Sequence, residues 1–253
     1  MKRTFFVLFS LVLLFAACGN SGNTNEDNQT TGDSLSQEPV IRQLEGDSTI
    51  YGLACEGSND SILVILKSVD SDPDTIDILN ARINRRVYGR PEIGDQVAIT
   101  MDAEKKSVAA IVINIDRLKG EWCYQVMPRL RRRAGAGADS AVQLPPDFPD
   151  SLRQKWFQPR EYGFEIRRDN TVRPIGIRNE AERQPGPVEY PTLKRYRQWH
   201  VYNGHLLLSE TRRDTLGNQQ VVSTDTADIV FMRRDTLQLR FANQERGYYR
   251  RSN

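Results

Sequence analysis

The stretch Trp199-His200-Val201-Tyr202-Asn203-Gly204-His205-Leu206-Leu207-Leu208 decides the fold of this chain. Asn-Gly between two alternating runs is a strong hairpin cue, because a type I′ turn needs positive φ at both central residues and Asn and Gly tolerate it. A two-residue turn also sets the register. Tyr202 falls opposite His205, Val201 opposite Leu206, His200 opposite Leu207 and Trp199 opposite Leu208. Side chains alternate along a strand, so Trp199, Val201, Leu206 and Leu208 share one face, which is predicted to be buried. His200, Tyr202 and His205 lie on the other.

The pattern continues on both sides. Thr226 to Met232, Leu237 to Phe241 and Gly247 to Arg250 follow the hairpin. Upstream, Tyr162 to Ile166 and Thr171-Val172 flank a turn at Arg168-Asp169-Asn170, and Trp122 to Val126 opens the series. About eight strands in sequential antiparallel order predict an up-and-down barrel. The function expected is binding of a small apolar or amphipathic ligand in a cavity walled by Trp199, Val201, Leu206 and Leu208; the alternative is that bulky side chains fill the barrel and the protein works as a scaffold or interaction module through its charged outer surfaces.

Leu118-Lys119-Gly120-Glu121-Trp122 resembles the Gly-x-Trp opening of lipocalins. Gly163-Phe164, Asp169-Asn170-Thr171, Tyr196-x-x-Trp199, Gly204 to Leu208, Asp225-Thr226, Asp235 to Leu239 and Tyr249-Arg250-Arg251 together resemble the lipocalin-like domain of Bacteroidetes lipoproteins, over about 118–251. The resemblance implies that Trp122 closes the barrel base, with Arg250 or Arg251 of the last strand stacked on it. The connection Met127 to Arg160 is longer than that pattern expects. It carries Arg129, Arg131, Arg132 and Arg133, a candidate loop for contact with anions.

Charge divides the chain. Gly19 to Arg117 holds 9 basic and 17 acidic residues, and Leu118 to Asn253 holds 24 and 16. The step predicts two domains, 45–117 and 118–253. In the first, Thr49 to Leu53, Ser61 to Leu66, Thr75 to Leu79, Gln96 to Thr100 and Val108 to Ile113 read as short strands between turns. Five or six strands in that length predict a small barrel, and Pro91 to Val97 resembles the Gly-Asp turn of OB-like and SH3-like barrels. The fold class expected is therefore all-β, a small OB/SH3-like barrel followed by a lipocalin-like one. Single-strand nucleic-acid binding needs a cationic groove with stacking platforms. This segment is acidic with only Tyr51 and Tyr88 as aromatics, so nucleic acid is excluded as a partner.

The start of the chain reads as an address. Met1-Lys2-Arg3, the apolar Phe5 to Phe15 and the small pair Ala16-Ala17 have the order of a secretory signal, 1–17. Phe15-Ala16-Ala17-Cys18 resembles the bacterial lipobox, which implies that Cys18 is acylated and anchors the chain to the membrane of the cell envelope, expected to be the outer membrane. Residues 18–44, rich in Asn, Gly, Ser, Thr and Asp, read as a flexible tether.

Little in the sequence carries chemistry. No nucleophile elbow, phosphate loop or dinucleotide fingerprint is present, so neither an enzyme nor a bound cofactor is expected. His200 and His205 are the only histidines and have no third ligand beside them, so no metal site is expected. Cys55 and Cys123 stand in different predicted domains, either as a disulfide or as two separate thiols.

Overall fold

The computed structural model describes residues 43–131, 144, 147–176 and 187–251. The chain is mostly β. Its first part contains β1 (Ile50–Ala54), β2 (Ile62–Leu66), β3 (Asp74–Asp77), the short helix α1 (Leu79–Ile83), β4 (Val87–Tyr88), β5 (Gln96–Met101) and β6 (Ala109–Asn114). These strands form one sheet in the order β3-β2-β1-β5-β6-β4, antiparallel except for β4 on β6. A parallel bridge between Asp77 and Val108 ties β3 back to the chain entering β6, with Asp77 N donating to Ser107 O at 3.0 Å. Period-two alternation places Leu63, Ile65, Ile76, Val97, Ile99 and Val112 in a common core.

The third run differs from its sequence reading. Thr75 to Leu79 alternates, yet the strand ends at Asp77 and the chain turns into α1. The Asp77 carboxylate accepts the Leu79 amide at 2.9 Å, and Ile78 O accepts the Arg82 amide at 2.9 Å. A local side-chain acceptor thereby offers the backbone a helical start where the ladder stops.

A one-turn helix, α2 (Ile115–Leu118), leads out of the sheet. Asn114 caps it, its Oδ1 accepting Arg117 N at 3.0 Å while its Nδ2 donates to Asp95 Oδ2 at 2.6 Å. Then come β7 (Gly120–Val126), β8 (Arg129–Leu130), α3 (Asp150–Trp156), β9 (Arg160–Ile166), β10 (Val172–Ile175), β11 (Val188–Glu189), β12 (Gln198–Tyr202), β13 (His205–Arg213), β14 (Gln219–Met232), β15 (Thr236–Phe241) and β16 (Gln244–Arg250). Eight of these strands form an antiparallel sheet in the order β10-β9-β7-β16-β15-β14-β13-β12. It curls into a nearly closed barrel, its ends joined by a bridge from Thr171 to Gln198 and by Val172 N donating to Arg197 O at 2.8 Å. Strands β8 and β11 form a separate two-stranded ribbon.

The hairpin has the register its turn dictates, Trp199↔Leu208, His200↔Leu207, Val201↔Leu206 and Tyr202↔His205, with φ of 48° at Asn203 and 84° at Gly204. One apolar cluster joins the barrel interior to Ala98, Ile113, Ile115 and Leu118, so α2 and one face of the first sheet cover an end of the barrel. Both sheets belong to one unit of the chain.

Candidate functional site

The barrel interior is the first place to seek a site. Trp199, Val201, Leu206 and Leu208 all face inward and are buried, in contact with Trp122, Phe164, Leu237, Leu239 and Tyr248. Two tryptophans fill the lower interior, each held by its indole N–H. Trp122 Nε1 donates to Leu118 O at 2.7 Å and Trp199 Nε1 to Arg167 O at 2.8 Å. Three clefts among the described residues lie elsewhere, and none is lined by any of the four predicted cavity residues. The largest, about 630 Å³, is a shallow depression between the turn at Ile93-Gly94 and the barrel turn at Arg167-Arg168. Four of its charged groups are already paired there, Lys119 with Asp116 at 2.9 Å and Arg167 with Glu165 at 3.0 Å.

The base of the barrel is locked by Arg250. Its guanidinium lies 4.2 Å from the centre of the Trp122 ring, and it donates to Arg234 O, to Lys119 O at 2.8 Å and to Arg117 O. Burial and the nearby Arg117 charge lower its pKa, but a guanidinium stays charged across any accessible pH. At the opposite end, Arg246 lies 4.3 Å over the Tyr124 ring and donates to its hydroxyl at 2.5 Å, while Tyr124 and Tyr248 meet edge to face. Asp225 there accepts from Lys194 at 2.5 Å and from Tyr196 at 2.5 Å. Burial opposes its ionisation, yet those two donors hold its carboxyl below the usual range. Burial and the Asp225 charge in turn raise the Tyr196 phenol. Polar groups at both ends are thus consumed by one another.

The outer wall carries a charge network over Cys123. Glu165 accepts from Arg167 and Arg173, Arg173 also reaches Glu121 at 2.9 Å, and Arg251 stands 3.6 Å from Glu161. Tyr249 donates to Glu161 at 2.7 Å, which pushes its phenol up to about 12. Beneath them Cys123 is fully buried, and burial together with Glu161 lifts its thiol to about 11. A thiol so protonated at neutral pH is a poor nucleophile. Cys55 is also a free thiol, half-exposed after β1 with its Sγ donating to Leu53 O at 3.5 Å. Of the two alternatives for this pair, the disulfide is absent: Cys123 is sealed in the barrel wall, and Cys55 sits at the end of a strand in the other sheet.

Of the candidate anion-contact loop, Arg129 is paired with Glu189 at 3.0 Å and Arg131 is held through its amide to Pro187 O; Arg132 and Arg133 fall outside the described residues, as does Cys18. The histidines do not converge on a shared site. His205 Nδ1 stands 2.6 Å from Asp228 Oδ1, and His200 turns to another partner. Among the described residues no group of three or more potential ligands could hold a metal ion.

That other partner belongs to a cluster sequence reasoning missed. Asp47, whose carboxylate is wholly buried, accepts from Thr49 N at 3.0 Å, Thr49 Oγ1 at 2.5 Å and Asn203 N at 3.2 Å. Asn203 N is shared with Thr49 Oγ1 at 2.9 Å, and the Asn203 side chain accepts from Ser48 N at 2.8 Å and donates to Gly46 O at 3.2 Å. Tyr51 donates to Val201 O at 2.7 Å. The His200 ring closes the cluster, its Nε2 buried without a hydrogen bond and 3.8 Å from Asp47 Oδ2, too long for one. Burial lowers the His200 pKa, against the raising effect of Asp47. The arrangement puts an acid beside a base, but the Thr49 and Tyr51 hydroxyls that could serve as a nucleophile are committed to Asp47 and Val201. It clamps the hairpin tip. The signal for it was present in Gly46-Asp47-Ser48-Thr49, a run suited to local side-chain–backbone bonds.

No helix among the described residues is long and apolar enough to cross a membrane. In comparisons with known proteins, no family model, no curated protein and no solved structure matches this chain.

Proposed function

We propose that this chain is a non-enzymatic lipoprotein of the cell envelope that acts as a scaffold or protein-interaction module, with a lipocalin-like barrel filled by its own side chains. One observation carries the reading: the inward residues of β7, β9, β12, β13, β15 and β16 meet in a single buried cluster. A barrel of eight strands has an interior just wide enough for side chains or for one small ligand, and here the space is taken by inward tryptophan, phenylalanine, tyrosine and leucine side chains. The first sheet, with its order and the parallel bridge from Asp77 to Val108, supports an OB-like reading of 45–117. The Cys18 anchor and the 18–44 tether rest on the leader-like sequence that precedes them.

Native mass spectrometry of protein extracted without detergent tests the filled barrel. The expected result is the mass of the chain and its anchor alone, with no fluorescence gain on titrating N-phenylnaphthylamine. Stoichiometric co-purifying lipid or metabolite, or saturable dye binding, would make the barrel a ligand container instead. Labelled palmitate is expected to enter the wild-type chain and not Cys18→Ala; failure to label wild type removes the anchor.

A further inference from the structure

Three of the nine basic residues in the acidic part of the chain that ends at Arg117 line a single cleft of about 340 Å³. They are Arg82, Arg85 and Arg90. The cleft lies between the β1–β2 turn at Ser58 to Asp60 and the segment that runs from the end of α1 to Pro91. Among the described residues Asp60 is the only carboxylate lining it, 2.7 Å from Arg82 and 3.6 Å from Arg90. Arg85 has no ion pair or side-chain hydrogen bond among the described residues. The wall therefore carries a surplus of two positive charges. The rest of the lining includes Leu63, Ile78, Val87 and Pro91, an apolar surface next to the guanidinia.

The helix does not need these arginines. Arg85 N donates to Arg82 O at 3.0 Å and Arg86 N to Ala81 O at 2.7 Å, a backbone cap that satisfies both carbonyls without a side chain. The cap places Arg85 at a φ of 57°, a left-handed position that glycine or asparagine fills at less cost. The facing turn is also held by local bonds. Asn59 Oδ1 accepts Ser61 N at 2.8 Å and Ile62 N at 2.9 Å, and Ser58 Oγ accepts Val64 N at 3.0 Å. Both walls are thus set in advance, which lowers the ordering cost of binding. Three guanidinia on one concave surface repel one another, and one carboxylate offsets only part of that. A bound dianion would offset the rest. A phosphate group carries a charge of about −1.5 to −2 at neutral pH and offers three acceptor oxygens, in a geometry that arginine meets with paired N–H donors.

We propose that this cleft binds a small phosphate-bearing molecule, with Arg82, Arg85 and Arg90 as its anion contacts. Isothermal titration calorimetry of the purified full-length protein tests it, with inorganic phosphate and phenyl phosphate at matched ionic strength. Saturable binding of one phosphate per chain is expected. Tighter binding of the phenyl ester assigns the site to an organic phosphate whose stem lies on the apolar lining, and equal binding assigns it to free phosphate; both support phosphate recognition. Arg85→Gln is expected to weaken binding at least about tenfold with an unchanged melting curve, since Arg85 has no side-chain partner to lose. Asp60→Asn removes the competing carboxylate and is expected to tighten binding about threefold. Arg213→Gln, at the end of β13, is expected to change nothing. The proposal is overturned by a wild type that saturates with neither compound, by Arg85→Gln binding as wild type does, by Asp60→Asn binding more weakly, or by an equal loss in Arg213→Gln. The same variant keeps this site apart from the barrel: a bound molecule lost with Arg85 belongs to the cleft, and a filled barrel can fail its own test while phosphate binding stands.

Discussion

The turn at Asn203-Gly204 and the turn at Asp214 to Asn218 sit at opposite ends of β13 and use the same local chemistry. Gly204 has a φ of 84° and Gly217 a φ of 86°, so each turn puts a glycine in the left-handed region. Their surroundings differ completely. The first turn is gripped by Gly46, Asp47, Ser48 and Thr49, from a segment about 155 residues away in sequence, and rests on Thr100 and Ile111 of the first sheet. The second stands in solvent, with Leu216 at its apex. A turn motif reverses the chain in both places, but it becomes an anchor only where another part of the fold supplies partners.

Removing the grip should have the largest effect. Asp47→Ala strips the acceptor from the buried Thr49 amide and hydroxyl, leaves the Asn203 amide with Thr49 Oγ1 alone, and is expected to cost about 4 kcal/mol, which for a chain of this size lowers the melting temperature by roughly 10 °C. Urea denaturation followed by circular dichroism measures it, and a loss under ~1 kcal/mol would mean the clamp is incidental. Gly204→Ala comes next. A Cβ there would lie 2.6 Å from Ile111 Cδ1, so overpacking adds to the strain of positive φ, and a loss of roughly 3 kcal/mol is expected. Gly217→Ala meets nothing within 4 Å and should cost about 1 kcal/mol from backbone strain alone. Equal losses for the two glycines would erase the distinction between the turns.

The smallest effect is pH-dependent and confined to the clamped turn. Burial holds the His200 pKa in the folded chain below its ordinary 6.5. Above that value the ring is neutral in both states and its contribution is intact. As pH falls through 6.5 the unfolded chain binds the proton first, so stability declines until the folded ring also protonates. Denaturation at pH 7.5 and pH 5 is expected to show wild type losing more stability on acidification than His200→Gln. Identical slopes would show that the ring does not sense its burial.

Much of the barrel was legible in the chain because its rules are local. Asn-Gly sets a two-residue turn, that turn sets the register, and alternation then assigns Trp199, Val201, Leu206 and Leu208 to the inner face. The resemblance at Gly120-Glu121-Trp122 pointed to Arg250 or Arg251, and it is the Arg250 guanidinium that lies over the Trp122 ring. The clamp was harder to read. Asp47 borders a polar tether-like stretch, and a lone acidic residue there is ordinarily solvated. Nor does alternation at Ile76-Asp77-Ile78 reveal that Asp77 starts a helix.

From the amino-acid order alone came the periodicities, the turn types and the faces that must hide from water, since these depend on residues a few positions apart. Only the tertiary structure decided that the inward tryptophans and leucines of the barrel share one buried cluster, that Asp47 is buried against a turn on the far side of the chain, and that among the described residues no strand flanks the β13–β14 hairpin beyond Ser209. Packing volume and hydrogen-bond satisfaction are properties of side chains brought together from distant segments, so they exist only once the sheets have curled and met.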